Sequence, residues 1–341
     1  MAPLTAFFLT RAKSYILSQT IQKRVIYVSG EVRLFFDGDP GIDDALALLY
    51  ALKTENVVLE GITTVGGNIS LDHTPRNALR ILEITGHPEV PVARGIAKPL
   101  LRELKSTGEV HGKDGLGNVS LTDPKIKEKT IHAVDLIIDT IMENPKQITL
   151  VPVGPLSNIA VAILKQPKLK NYVKDTVIMG GAVTVHGNIT SEAEFNIYTD
   201  PEAAKIVFQS GMPITLVGLD VTMKTLLKPG HLEEIEEVDT PVTRFVGKIT
   251  RHYMKFYKEV VGVDGCGMHD PLAVAVAIDK SLVETKRLYV TVETKGEFTT
   301  GETVGDLRAS KEGDVKRPNM DVCVDVDSER FMRMFIDTIK K

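Results

Sequence analysis

Phe35-Phe36-Asp37-Gly38-Asp39-Pro40-Gly41-Ile42-Asp43-Asp44-Ala45-Leu46 sets four carboxylates within eight residues, directly after the apolar run Leu34 to Phe36. A short apolar run closed by Pro and Gly reads as a buried strand that stops. The helix formers Ala45 to Lys53 then set Asp43 and Asp44 where a helix begins. The carboxylates thus crowd one strand-to-helix turn, and in an open α/β sheet such turns lie at the carboxyl edge, where ligands bind. Four anions this close repel one another, and a helix N-terminus offsets only about half a charge. A hard cation resolves the repulsion, because calcium and magnesium take oxygen ligands. Capping of the helix by Asp43 would use one carboxylate and leave three. An EF-hand loop fails on spacing: counted from Asp37, position five is Gly41, position six Ile42 and position twelve Leu48. A metal-dependent phosphatase with an Asp-x-Asp site also starts after a buried strand, and stays open as an alternative.

The chain has 341 residues, 43% hydrophobic and 25% charged, the composition of a soluble globular protein with a large core. A net charge of −4 gives no electrostatic footprint for nucleic acid or an anionic membrane, so neither is expected as a partner. Cys266 and Cys323 match no metal or redox spacing and suggest a reducing compartment. No apolar stretch reaches the roughly 18 residues needed to span a bilayer.

Downstream, strand-like and helix-like stretches alternate, which predicts a single α/β domain with a mainly parallel central sheet flanked by helices. The strand Val57 to Thr64 ends in Val65-Gly66-Gly67-Asn68, and glycines there let backbone approach a ligand. A helix is predicted over Thr74 to Thr85 and a strand over Val90 to Ala93. The polar stretch Lys105 to Asp123 holds His111 and is long enough to be functional. The strand Ile148 to Val153 is stopped by Gly154 and Pro155, which frees the Val153 carbonyl. After Met179-Gly180-Gly181 come Asn188, Glu194 and Asn196, two amides and a carboxylate within nine residues. The strand Ile214 to Leu219 ends at Asp220, to which no role is assigned. Tyr253 and Tyr257, four apart in a helix predicted over Val242 to Val260, share a face. His269-Asp270-Pro271 precedes the apolar run Leu272 to Ile278, with Asp270 readable as a cap. Leu288 to Val292, Val322 to Val324 and the helix Glu329 to Lys340 read as structural.

From Val32 to the C-terminus the chain resembles the inosine-uridine preferring nucleoside hydrolases, on Asp37-x-Asp39-Pro40-Gly41-x-Asp43-Asp44-Ala45 and then the ordered blocks just named. One departure lies inside the motif: Gly38 stands where threonine or cysteine is more usual, removing a side chain that would stiffen the turn but no ligand. The resemblance implies hydrolysis of the N-glycosidic bond of purine or pyrimidine ribonucleosides to ribose and free base. It implies Ca²⁺ held by Asp39, Asp44, Asp270 and the Val153 carbonyl, with Asp39 as general base toward a calcium-bound water. Asp43, Asn68, Asn188, Glu194 and Asn196 would hold ribose hydroxyls, with Met179 facing the sugar. Tyr253 and Tyr257 would lie beside the base, and His269, aided by His111 and Tyr257, would assist its departure. Asp37 would orient the others. A nucleoside-binding protein without catalysis is a further alternative, disfavoured because Asp39 and Asp270 are both present.

The resemblance also implies a homodimer or homotetramer, and a cytoplasmic location is expected. It does not cover residues 1–31. Met1 to Gly30 holds no acidic residue but Arg11, Lys13, Lys23 and Arg24, a composition shared with transit peptides. An N-terminal extension, or a start codon set too early, is the simpler expectation.

Overall fold

The computed structural model describes residues 30–105, 108–119, 121–308 and 316–341. The expectations for residues 1–29 lie outside the described residues. Val32–Lys341 form one unit.

Its sheet has eight strands: β1 (Val32–Gly38), β2 (Val57–Thr64), β3 (Val92–Arg94), β4 (Ile148–Pro152), β5 (Asp175–Met179), β6 (Ile214–Val217), β7 (Val283–Leu288) and β8 (Met320–Val326). In space they run β3-β2-β1-β4-β5-β6-β8-β7. Every neighbouring pair is parallel except β8 with β7. The chain therefore builds outward from β1 to β3, then returns to lay β4 on the other side of β1. That reversal opens a crevice at the carboxyl ends of β1 and β4, the place where doubly wound sheets bind ligands.

Helices cover both faces: α1 (Ile42–Lys53), α2 (Thr74–Thr85), α3 (Ala133–Glu143), α4 (Ser157–Lys165), α5 (Phe195–Thr199), α6 (Pro201–Phe208), α7 (Pro241–Phe256), α8 (His269–Ile278) and α9 (Ser328–Lys340). Side chains alternate across a strand. On β1, Leu34 and Phe36 join the core under α1, α2, α7, α8 and α9, while Phe35 joins the one under α3, α4 and α6. Helices α1 and α8 pack on each other and are buried over most of their lengths. This brings the first turn of α1, with Asp43 and Asp44, against the first turn of α8, with Asp270.

Several boundaries differ from expectation. Helix α1 starts at Ile42 with Gly41 as N-cap, so Asp43 lies in the first turn and does not cap it. Met268 is the N-cap of α8, which puts both His269 and Asp270 inside the helix. The long helix expected over Val242 to Val260 is α-helical to Phe256 and continues as a π turn over Tyr257–Val261. The polar stretch after Lys105 contains one short helix, Gly108–His111. The segment Leu288 to Val292 is split: Leu288 ends β7, and Val290–Val292 pairs with Thr303–Gly305 in a separate ribbon.

Candidate active site

At the end of β1 the chain turns so tightly that side chains substitute for backbone pairing. Asp44 Oδ1 accepts from the Asp39 amide and Oδ2 from the Gly41 amide, both at 3.0 Å. The Asn68 amide donates to Asp39 Oδ2, and Asn68 Nδ2 donates to Asp44 Oδ2 at 3.3 Å. Asp37 stands behind them, accepting from Thr63 Oγ1 at 2.6 Å and Asn158 Nδ2 at 2.8 Å. Gly38 is not a loose point, since a Cβ there would lie 2.4 Å from Asp44 Oδ1 and 3.0 Å from a Val153 methyl.

The ligand oxygens of Asp43, Asp44 and Asp270 lie within 4.8 Å of one another, all three residues buried. Asp39 is beside this group but not in it: Oδ2 is held by the Asn68 amide, and Oδ1 is buried without a hydrogen-bond partner. Among the described residues no lysine or arginine forms an ion pair with any of the four; the closest cationic candidate is the His111 ring, 3.8 Å from Asp43. Burial is the main force raising the pKa of each, and repulsion by neighbouring carboxylates adds to it for Asp39, Asp44 and Asp270. Asp44 is raised to about 7, by burial and then by Asp43; Asp39 and Asp270 are raised well above the usual range. Asp37, also raised to about 7, owes the shift to burial alone. A cluster of hard oxygens with no lysine or arginine paired to it among the described residues, and with one orphaned acceptor, fits a divalent ion such as calcium or magnesium. The Val153 carbonyl faces the same space and accepts from Asn196 Nδ2 at 2.7 Å.

Above the carboxylates is a cavity of about 210 Å³. Asp43, Asn68, His111, Val153, Met179, Asn188, Glu194, Asn196, Tyr253, Tyr257, His269 and Asp270 all line it, so the fold gathers residues from eight separate stretches of chain. Asp39 and Asp44 lie beneath it, fully buried. Glu194 is the N-cap of α5, and its carboxylate accepts from the Gly181, Asn196 and Ile197 amides; burial raises its pKa. Asn188 Oδ1 accepts from the Phe195 amide at 2.9 Å, and Asn196 Nδ2 also reaches Met179 Sδ at 3.4 Å.

The opposite wall is aromatic. Tyr253 and Tyr257 meet edge to face with centroids 5.0 Å apart, and the His111 ring lies 5.5 Å from Tyr253. Tyr257 Oη and His269 Nε2 are 2.6 Å apart. On its far side, His269 Nδ1 is 2.8 Å from Thr222 Oγ1. Burial lowers the pKa of both histidines, His111 to about 3 with His252 adding to the shift. His111 Nδ1 accepts from the Ile42 amide at 3.1 Å, which ties the ring to the carboxylate turn. The rim is apolar, with Val110, Ile189, Met223, Phe256, Val260 and Val261, and the π turn carries the last two.

Three supporting residues had no role assigned from the sequence, and two of them, Asn77 and Thr222, were not singled out there at all. Asn77 Nδ2 donates to the Pro40 carbonyl at 3.0 Å and to the Asp114 carbonyl at 2.8 Å, strapping the His111 loop onto the carboxylate turn. Asp220 acquires a role: it accepts from the Val183 and Thr184 amides and the Thr184 hydroxyl, pinning the chain that leads to Asn188. Thr222 touches His269. All three make contacts far apart in sequence, and no local pattern announces them.

Residues 34–333 match the profile of the inosine-uridine preferring nucleoside hydrolases. The chain is 42% identical over 311 residues to an inosine-uridine preferring nucleoside hydrolase of Crithidia fasciculata, covering 91% of this chain and 98% of that one. It is 39% identical to a pyrimidine-specific ribonucleoside hydrolase of Salmonella gallinarum, covering 90% and 98%. Among solved structures, a purine-preferring ribonucleoside hydrolase from Gardnerella vaginalis superposes with a TM-score of 0.85 at 39% identity, covering 90% and 98%.

Proposed function

This chain belongs to the inosine-uridine preferring nucleoside hydrolase family and is an N-glycosidase of nucleosides, and from that premise we propose that it splits purine and pyrimidine ribonucleosides into ribose and base with the help of a bound Ca²⁺. One observation carries the reading: a single cavity has buried carboxylates at its floor, amides along one wall and the Tyr257–His269 pair on the other. Held by Asp44, Asp270, Asp39 and the Val153 carbonyl, the ion would lower the pKa of the attacking water and orient the ribose.

The remaining work belongs to the side chains. Asp39 Oδ1, buried and without a partner, accepts the proton the water loses. Asp43, Asn68, Asn188, Glu194 and Asn196 supply donors and acceptors to the ribose hydroxyls, and a deoxyribose would leave some of them unpaired. Met179 packs on the sugar. The phenols and the apolar rim flank the base, and the proton shared by Tyr257 and His269 goes to it as the bond breaks. Asp37, held by Thr63 and Asn158, keeps the turn in place. In this reading residues 32–341 are the catalytic domain, working in the cytoplasm as a homodimer or homotetramer.

The test is release of reducing sugar from inosine, uridine, guanosine, cytidine and deoxyinosine, after chelation and after calcium is restored. Ribose released only with calcium, and little from deoxyinosine, is the expected result. No release from any ribonucleoside would overturn the proposal.

A further inference from the structure

We propose that the substrates include ribonucleosides whose base carries an apolar substituent on the edge farthest from the glycosidic nitrogen, and that Ile189, Met223, Val260 and Val261 form the subsite for that group. The inference rests on the glycosidase reading given above and names a substrate class for the same cavity. Among the described residues ten large apolar side chains are exposed, and these four of them line this one cavity. Val260 is 69% and Val261 44% exposed, which core packing does not explain.

The four come from three separate places in the chain. Ile189 follows Asn188, Met223 is the C-cap of the short helical turn Leu219–Thr222 after β6, and the two valines end the π turn Tyr257–Val261. Gly262, at φ 77°, turns the chain back directly after them. Such π turns are frequent at functional sites. The charged residues of this turn face elsewhere: Lys258 pairs with Asp264 at 3.5 Å and Glu259 with Lys255 at 3.9 Å, and none of these lines the cavity. The outer rim therefore presents methyl and thioether groups and no charge.

A contiguous apolar patch on a protein surface marks an interaction site. A protein partner is a poor fit to four side chains, since a stable interface takes about 800 Å² and roughly 20 to 30 residues a side. Substrate is the occupant that the cavity itself supplies. Its volume of about 210 Å³ is below the roughly 300 to 1,000 Å³ usual for small-molecule pockets. A nucleoside with its ribose on the carboxylate floor thus brings the far edge of its base out to the rim. The aromatic wall leads there too, from Tyr257 to Phe256, whose rings meet edge to face at 6.1 Å. An alkyl or benzyl group on that edge would exchange water for the four side chains, whereas the bare polar edge of inosine finds no strong donor or acceptor among them.

The probes are the 6-methylthio-, 6-propylthio- and 6-benzylthiopurine ribosides, in which sulfur on C6 keeps the leaving group nearly constant while the apolar area grows. Ribose release is measured with calcium present. Each added methylene should raise kcat/KM about two- to fourfold, the worth of a partly to fully buried CH₂, with the gain carried by KM. Val260→Ser combined with Val261→Ser, both at exposed positions, should cut the gain from methyl to propyl by more than half and lower kcat/KM for the benzylthio riboside more than for inosine. A kcat/KM that stays flat or falls with chain length in the wild type would overturn the proposal. So would an undiminished gain in the double variant, or equal losses on inosine and the benzylthio riboside, which would mean that the rim clamps every base alike. Absence of ribose release from every nucleoside, inosine included, would defeat the glycosidase reading instead. Calorimetric Kd values for the same series, falling or not with chain length, would still decide the subsite.

Discussion

Replacing Asp270 by asparagine should move stability in opposite directions with and without calcium. Without the ion, Asp43, Asp44 and Asp270 are buried carboxylates within 4.8 Å of one another. At that separation and an effective dielectric of about 20, each pair of charges repels by roughly 3 kcal/mol. Burial raises the pKa values further, so the fold holds protons that the unfolded chain has released. Asp44 goes from its usual 3.8 to about 7. Between those values the folded state binds more protons at Asp44 than the unfolded one, so its contribution to metal-free stability falls as pH rises from about 4 to about 7, and Asp39 and Asp270, also shifted upward, act in the same direction. Asp270→Asn removes one charge and accepts no hydrogen-bond loss comparable to that of Asp44. In chelator at pH 8 it removes two of the three repulsions and should gain up to about 6 kcal/mol; at about 2.1 cal/mol/K per residue over about 310 residues, this is roughly 9 °C in Tm. Calcium at 100 times its Kd should add about 2.7 kcal/mol to wild type and almost nothing to the variant. Thermal melts followed by circular dichroism, at pH 5 to 8 in chelator and then across a calcium titration, read both effects. A variant less stable than wild type in chelator, or one with an undiminished calcium response, would refute the reasoning.

Asp39→Ala should abolish ribose release while the circular dichroism spectrum stays that of wild type; retained turnover would remove Asp39 from the role of base. His269→Ala should slow inosine on the order of 10² to 10⁴ and leave 4-nitrophenyl riboside far less affected, and equal losses would reject its part in base departure. Asn77→Ala strips a donor from two carbonyls at once, so a loss of about 1 to 3 kcal/mol is expected. The denaturant midpoint checks it, together with a raised KM for inosine as the His111 loop comes off the turn; an unchanged midpoint and KM would show that the strap does not matter.

The carboxylate turn was legible because its chemistry is local: strand, breaker and helix start follow one another, and unpaired charge has few uses. The parallel sheet was legible for the same reason, as alternating apolar runs with glycine at their ends. β7 was not, because Val283–Leu288 is an antiparallel edge strand whose middle residues Glu284, Thr285, Lys286 and Arg287 are exposed. Edge strands carry charge to avoid pairing with other chains, so they show no apolar run. Capping by Asp43 or Asp270, the plainer local alternative, is not what forms: Gly41 and Met268 are the N-caps, and both carboxylates lie inside the first turns of their helices. The resemblance singled out the block from Asn188 to Asn196, which reads by itself as a polar loop and which the fold brings to the wall of the cavity. Thr222 and Asn77 escaped every local rule, since each acts on a partner 47 or 37 positions away.

Gly38 has a consequence for anyone who would improve this protein by restoring the commoner residue of its relatives. The two oxygens of Asp44 are tied to backbone amides, and a Val153 methyl closes the other side of the position. A threonine there would have to displace the Asp44 carboxylate and the Phe36 ring as well, which a Cβ would meet at 2.4 and 2.7 Å. The substitution that makes the motif look most conventional is therefore one the surrounding packing resists, and a smaller residue at 153 would relieve only the loosest of the three contacts, at 3.0 Å. Position 38 is bound to the carboxylate turn itself, so a side chain restored there moves Asp44 before it stiffens anything.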